Sequence, residues 1–304
     1  MKEPVKNIAA SILARLKNQA EITGRPFAEI LQYYAMERFL YRLSKTAYAE
    51  KFILKGGLLF YVWNLPLRRP TRDIDFRGYV SNDGESLLKV INAVMEESAP
   101  EDGIIFDPRS VSLEETQIDA DYQGIRVKVT ALLERSRIPV QIDIGFSDEL
   151  ASKAEPIEYP SILPDLETTQ MKGYPKEAVV AEKFHAMVRH AELNSRMKDY
   201  YDLWLLSETF EFKGASMQTA IESTFRKRDT EIPQERPLSL SNEFARVGQV
   251  RWMNFLNKME LENDQVADFE SVIEKIWEFI EYPLQASISQ TNSICNWTPQ
   301  IGWK

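Results

Sequence analysis

The fold of this chain is decided by residues 53–77, ILKGGLLFYVWNLPLRRPTRDIDFR. A short apolar strand ends at Lys55, and Gly56-Gly57 then supplies a turn. Helical spacing follows from Leu58 to Asn64. After two prolines and three arginines, Asp73-Ile74-Asp75-Phe76 has the alternation of a second strand. We therefore expect a strand, a glycine turn, a helix and another strand in this order.

Helical and strand-like patterns continue on both sides of this segment. Apolar residues recur at helical spacing in five stretches: 7–23, 26–44, 84–98, 176–192 and 198–210. Apolar and polar residues alternate over 124–131 and 138–146, as they do in half-buried strands. Beyond residue 210 the pattern is mostly helical, with a polar interruption over 227–241.

The order of these elements predicts an α+β fold. Helices come first, a mixed α/β block follows, and helices close the chain. We expect N-terminal helices over 1–50 that pack on the core, a catalytic core over 51–165, and a C-terminal helical region over 166–304.

Composition excludes several classes of protein. The chain of 304 residues is 44% hydrophobic and 27% charged, which is typical of a folded globular protein. Its net charge of −9 argues against non-specific coating of nucleic acid, so a nucleic-acid partner would be held at one local site. A single cysteine, Cys295, and two histidines cannot form a disulfide framework or a Cys/His metal cage. No apolar run is long enough to span a membrane, and we expect a cytoplasmic protein.

The Asp-x-Asp pair indicates metal chemistry. Residues two apart on a strand project to the same face, so Asp73 and Asp75 present their carboxylates side by side. Two adjacent carboxylates repel each other unless a positive charge lies between them. Mg²⁺ (or Mn²⁺) supplies that charge and prefers oxygen ligands.

A third carboxylate and a glycine turn extend this predicted site. In the strand over 138–146, Asp143 lies on the polar face, and pairing with the Asp73 strand would bring three carboxylates together for phosphoryl transfer. Gly56-Gly57 precedes a predicted helix, whose N-terminus favours phosphate. Two other interpretations compete with a metal site. Asp143 could be a surface residue of an edge strand, and Asp73 and Asp75 could be solvated residues at the end of a strand.

Residues 38–78, RFLYRLSKTAYAEKFILKGGLLFYVWNLPLRRPTRDIDFRG, resemble the AbiEii/AbiGii-type nucleotidyltransferase toxin family. That family lies within the DNA polymerase β-like nucleotidyltransferase superfamily. Three later motifs agree with the resemblance: QIDIGF at 141–146, EAVVAEKFH at 177–185 and KDYYDLWLL at 198–206. The resemblance implies a polymerase β-like core with a mixed sheet, flanked by helices.

The resemblance also implies roles for individual residues. It implies a phosphate-binding turn at Gly56 and Gly57, metal ligands at Asp73, Asp75 and Asp143, a triphosphate contact at Lys183, and a closing Asp-x-x-Asp at Asp199 and Asp202, of which Asp202 is the catalytic candidate. Two positions depart from the family pattern. Leu58 replaces a common threonine, which removes a hydroxyl, and Lys198 stands where arginine is common and cannot bind an anion bidentately.

Some of these residues have ordinary structural interpretations. Lys183 lies among apolar residues and is also consistent with a lysine that snorkels from a core helix. Asp199 and Asp202 are consistent with a helix cap and a first-turn acid. The arginines before the Asp-x-Asp strand either form a solvated loop or neutralise phosphate; they are Arg68, Arg69 and Arg72, and Arg72 is included among the nucleotide-binding candidates.

The resemblance implies a metal-dependent toxin that moves a nucleoside monophosphate from an NTP to an acceptor hydroxyl. The implied acceptor is the 3′ end of tRNA, the implied effect is growth inhibition, and the implied regulator is an antitoxin encoded separately. Two alternatives remain open at this stage. The same site could modify a protein or small molecule, or the chain could be a catalytically silent nucleotide-binding module.

Overall fold

The computed structural model describes residues 7–65, 70–119, 122–146, 154–191, 194–259, 261 and 266–304. These residues group into two compact units. The first unit contains the described residues up to Tyr174, and the second contains those from Pro175 to Lys304. Each unit combines helices with β-structure, so the predicted α+β class is confirmed.

The first unit is built on a seven-stranded mixed sheet with the strand order β3-β4-β5-β2-β1-β7-β6. Its strands are β1 Phe52–Lys55, β2 Asp73–Gly78, β3 Ile105–Asp119, β4 Tyr122–Leu133, β5 Ser136–Phe146, β6 Glu155–Tyr159 and β7 Thr169–Gly173. Strand β2 is central: it runs parallel to β5 on one side and antiparallel to β1 on the other.

Four helices of the first unit surround this sheet: α1 Ile8–Thr23, α2 Phe27–Lys45, α3 Leu59–Val62 and α4 Gly84–Glu96. Helix α2 contacts β5 and β7 and is buried over most of its length. Its charged residues are paired where they are buried. Arg42 donates to both carboxylate oxygens of Asp102, at 2.6 and 3.0 Å, which joins α2 to the segment that precedes β3.

The second unit is mainly helical. It contains α5 Lys176–His190, α6 Met197–Thr209, α7 Gly214–Lys227, α8 Asn242–Lys258 and α9 Phe269–Ile288, with short strands β8 Phe212–Lys213, β9 Asn296–Thr298 and β10 Gly302–Trp303. Helix α9 contacts α6, α7 and α8, and its apolar face is fully buried. The small sheet has the order β10-β9-β8.

The observed elements confirm the helices and strands predicted from periodicity, and the polar interruption over 227–241 separates α7 from α8. Three strands of the sheet were not identified from the sequence. Strand β3 contains Pro108 and a register shift between Asp107 and Ser112, while β6 and β7 have only five residues each. The helix expected over 58–64 is also shorter, because only Leu59–Val62 is α-helical.

Strand β7 lies beyond the predicted core end at residue 165 and pairs with β1 in the same sheet. The division into 1–50, 51–165 and 166–304 as separate regions stays a prediction. Among the described helices, none is both long enough and apolar enough to cross a lipid bilayer.

Candidate active site

The register of β2 and β5 brings three carboxylates together. Asp75 lies directly opposite Asp143, and Asp73 lies opposite Gln141, because the two strands are parallel and in contact. One carboxylate oxygen from each of Asp73, Asp75 and Asp143 lies within 4.8 Å of the other two. The structure therefore brings together the three residues that the sequence predicted as metal ligands.

The residues between these carboxylates anchor both strands in the core. Ile74 and Phe76 on β2 and Ile142 and Ile144 on β5 alternate with the acidic positions and are almost completely buried. Because successive side chains of a strand point to opposite faces, burial of the apolar set fixes the carboxylates on the other face. Asp143 is itself 5% exposed, so this carboxylate needs a charged or hydrogen-bonding partner.

That partner is Arg126 on β4. Arg126 lies opposite Asp143 in the β4–β5 register, and its Nε and Nη2 donate to the two carboxylate oxygens at 2.8 Å each. This hydrogen bonding raises the pKa of the Arg126 guanidinium. On the far side of the acidic residues, Lys55 lies opposite Asp75. The acidic pair Asp75 and Asp143 is thus flanked by a cationic residue on each neighbouring strand.

Sequence reasoning missed Arg126, although the chain contains a signal for it. Strands β4 and β5 are joined by a two-residue turn at Glu134-Arg135, with Glu134 at φ 52°. A two-residue turn fixes the hairpin register. Counting back from that turn places Arg126 opposite Asp143. The turn has neither the glycine nor the asparagine that usually mark such a hairpin, so the register was not recognised.

The glycine turn lies against the metal-ligand candidates. Gly56 has φ +73°, and a Cβ added there would lie 2.0 Å from Oδ2 of Asp75. Only glycine combines this backbone conformation with such a close approach. A Cβ added at Gly57 would lie 2.4 Å from Oγ1 of Thr71, and the Thr71 amide donates to the hydroxyl of Tyr33 at 2.8 Å. The turn and the residues that lead into β2 are therefore closely packed.

The helical segment at this turn is shorter than the sequence predicted. A 3-10 turn over Gly56–Leu58 leads into a single α-helical turn from Leu59 to Val62, in place of the helix expected over 58–64. A macrodipole requires aligned peptide units, and one turn supplies few of them. Phosphate binding by Gly56 and Gly57 stays a prediction that depends on their backbone N–H groups.

A second charged cluster lies within the second unit. Lys183 on α5 places Nζ 2.7 Å from Oδ1 of Asp199 and 2.8 Å from Oδ2 of Asp202, both on α6. Arg196 Nε also approaches Asp199 Oδ2, at 3.4 Å. Asp199 and Asp202 are buried, and Arg196 rather than Asp199 is the N-cap of α6. Lys183 therefore joins two helices through ion pairs and does not snorkel to solvent.

The predicted arginine cluster is only partly described. Arg72 is exposed and directly precedes β2. Arg68 and Arg69 lie outside the described residues, so their interpretation rests on the sequence alone.

The donor set fits a hard divalent cation. Three carboxylates converge on one face of a rigid sheet, and all their possible ligand atoms are oxygens. Mg²⁺ and Mn²⁺ prefer oxygen ligands, whereas thiolate and imidazole ligands would indicate zinc or copper. The residues present therefore suit Mg²⁺ or Mn²⁺.

Comparisons with known proteins show which family this chain resembles. The family model described as nucleotidyl transferase AbiEii toxin, type IV TA system, matches residues 38–275, which is most of the chain. A comparison with curated proteins finds no significant match. Two Helicobacter pylori structures are similar at 14% identity over 86% of this chain: JHP933, covered over 94% of its length with a TM-score of 0.47, and a candidate nucleotidyltransferase, covered over 97% with a TM-score of 0.48. From the extent of the family match, the chain belongs to the AbiEii family of nucleotidyltransferase toxins from type IV toxin–antitoxin systems.

Proposed function

We propose that this nucleotidyltransferase is metal-dependent and transfers a nucleoside monophosphate from an NTP to the 3′ end of tRNA, which inhibits growth. The observation that supports the metal dependence is the convergence of Asp73, Asp75 and Asp143 within 4.8 Å on adjacent parallel strands. Three carboxylates this close are costly to maintain without a counter-charge.

The proposed reaction is an in-line substitution at the α-phosphorus. The acceptor hydroxyl oxygen forms a bond to this phosphorus, the bond to the bridging oxygen of the β-phosphate breaks, pyrophosphate leaves, and the hydroxyl proton passes to solvent. When bound, Mg²⁺ would offset negative charge on the phosphate oxygens. Asp73, Asp75 and Asp143 would hold the ion, and the buried residues between them keep the three carboxylates on one face.

The remaining candidates would bind the triphosphate. We assign this role to Gly56, Gly57 and Lys183 from the family resemblance, and to Arg72 because it directly precedes the strand that carries Asp73 and Asp75. Lys183 is held between two aspartates, and these two ion pairs fix the position of its ammonium group. Asp202 would act by orienting Lys183, since its Oδ2 accepts from that ammonium group.

The choice of acceptor rests on the family. Type IV toxin membership implies an NTP substrate and an antitoxin. We propose a tRNA acceptor because the family resemblance implies one, and the hydroxyl at the 3′ end of tRNA can act as the nucleophile that the transfer needs. With a net charge of −9, the chain would hold tRNA at one restricted surface and not over its whole exterior.

The experiment that tests this function is a transfer assay. Purified chain is incubated with Mg²⁺, bulk tRNA and each α-labelled NTP in turn, with and without EDTA. The Asp75→Asn variant removes one proposed ligand, and Asp107→Asn is a matched control, because Asp107 lies on β3 of the same sheet and interacts locally with Arg109.

We expect label on tRNA from the wild-type chain and from Asp107→Asn, and none with EDTA or from Asp75→Asn. Label on protein or on a small molecule instead would overturn the tRNA acceptor and retain the enzyme. Transfer that persists in EDTA and in Asp75→Asn would overturn the metal-dependent site.

A further inference from the structure

Arg126 and Asp143 form a bidentate contact beside the other two acidic residues. Both donor atoms lie 2.8 Å from separate oxygens of one carboxylate. The Asp143 side chain is 8% exposed and that of Arg126 is 34% exposed. Gln141 is a weaker neighbour, because its Nε2 lies 3.3 and 3.5 Å from the same oxygens.

The sheet order separates this contact from the other two carboxylates. Strand β5, which carries Asp143, lies between β4 and β2. Arg126 therefore approaches Asp143 from the β4 side, while Asp75 lies opposite Asp143 on the β2 side. A carboxylate has about four lone-pair sites, and the two hydrogen bonds use one on each oxygen. Each oxygen retains acceptor capacity for a cation.

The planar guanidinium group of Arg126 supplies a positive charge and also determines the orientation of the Asp143 carboxylate. Two parallel hydrogen bonds define both the position and the plane of the carboxylate, whereas a single ammonium group defines neither. An aspartate on a strand otherwise rotates about its terminal bond over a broad range. Arg126 thus limits where the Asp143 oxygens lie relative to Asp75.

We propose that Arg126 is a positioning residue for the metal site: it orients Asp143 so that its carboxylate completes the set with Asp73 and Asp75. This inference rests on the proposed metal-dependent function. Two effects of Arg126 oppose each other, because its positive charge repels a cation while its hydrogen bonds organise a ligand. Loss of a group that orients a ligating carboxylate typically lowers metal affinity about 10–100-fold, so we expect orientation to outweigh repulsion.

The test measures Mn²⁺ binding to the full chain, without substrate, by the electron paramagnetic resonance signal of free Mn²⁺. The variants are Arg126→Ala and Arg126→Lys. The alanine removes both the positive charge and the pair of parallel hydrogen bonds, whereas the lysine retains the positive charge alone. Lys128→Ala is the matched control: Lys128 lies two residues further along β4 on the same face and pairs with Glu114 at 2.8 Å. Circular dichroism verifies folding, and Arg126→Lys retains an aliphatic stem if Arg126→Ala does not fold.

We expect both Arg126 variants to bind Mn²⁺ about 10–100-fold more weakly than the wild-type chain, and Lys128→Ala to stay within about twofold. Wild-type affinity in Arg126→Lys combined with tighter binding by Arg126→Ala would show that only charge matters, and would overturn the inference. Asp75→Asn separates the two proposals. If it binds Mn²⁺ as well as the wild-type chain does, the metal site itself is refuted together with the role of Arg126.

Discussion

Replacing Gly56 by alanine tests whether the glycine turn and Asp75 share one packing constraint. Gly56 has φ +73°, and an added Cβ would lie 2.0 Å from Oδ2, 2.7 Å from Cγ and 2.8 Å from Cβ of Asp75. Gly24 provides a matched control in the same unit. Its φ is +69°, but a Cβ added there meets no atom within 4 Å.

The two substitutions share one cost and differ in another. A left-handed conformation costs an alanine about 1–2 kcal/mol, and the smaller entropy of the unfolded chain offsets about 0.4–1 kcal/mol of that. Gly24→Ala should therefore lower the free energy of unfolding by roughly 0–1.6 kcal/mol. Gly56→Ala adds the overlap with Asp75, and overpacking typically costs roughly 1–3 kcal/mol more. Relief of that overlap must move Asp75 or the turn.

Chemical denaturation followed by circular dichroism gives the difference in stability, and Mn²⁺ binding reports the position of Asp75. Gly56→Ala should be destabilised more than Gly24→Ala, and its Mn²⁺ affinity should fall at least tenfold. Gly24→Ala should bind Mn²⁺ as the wild-type chain does. Equal destabilisation by the two variants, with unchanged Mn²⁺ binding in both, would refute the constraint between Gly56 and Asp75.

Three further predictions concern individual side chains. Asp73→Asn should abolish transfer without lowering the free energy of unfolding, because it removes repulsion among carboxylates. If a denaturation experiment shows that the free energy of unfolding falls by more than about 1 kcal/mol, Asp73 has a structural role instead. Lys183→Met should destabilise the chain by about 3 kcal/mol, because it leaves two buried aspartates without their shared cation, and a loss under 1 kcal/mol would contradict this explanation. Asp268 caps α9 by accepting from the Ser271 amide at 3.0 Å, and this bond lowers the pKa of Asp268 below 3.8. Asp268→Ala should therefore cost about 1 kcal/mol near pH 7, and the difference from the wild type should shrink as the pH falls through that folded-state pKa; a difference that is constant with pH would exclude the ionised cap.

Local patterns in the sequence were sufficient for much of the fold. Helices α1, α2 and α4 and strands β2, β4 and β5 have clear apolar periodicity over their length. The strands that were missed lack it for physical reasons. Strand β3 is an edge strand with a proline and an irregular register, and β6 and β7 are too short to display a period.

Some residues of the candidate site could likewise be predicted from the sequence, and others could not. Asp73 and Asp75 follow from a period of two within one strand, so the sequence alone predicts that they share a face. The position of Asp143 opposite Asp75 depends on pairing between strands about sixty residues apart in the chain, which periodicity cannot reveal. Arg126 depends on the register set by an atypical turn. The ion pairs of Lys183 require two helices to pack, so helical spacing alone could not distinguish a pairing role from a solvent-exposed one.

The most direct test of the central claim is anomalous diffraction from crystals grown with Mn²⁺. The claim is that Asp73, Asp75 and Asp143 hold a divalent cation together. We predict an anomalous peak bonded to oxygens of all three aspartates, with Arg126 still bound to Asp143. A peak bonded to other residues, or no peak at Mn²⁺ concentrations that saturate transfer, would contradict the claim.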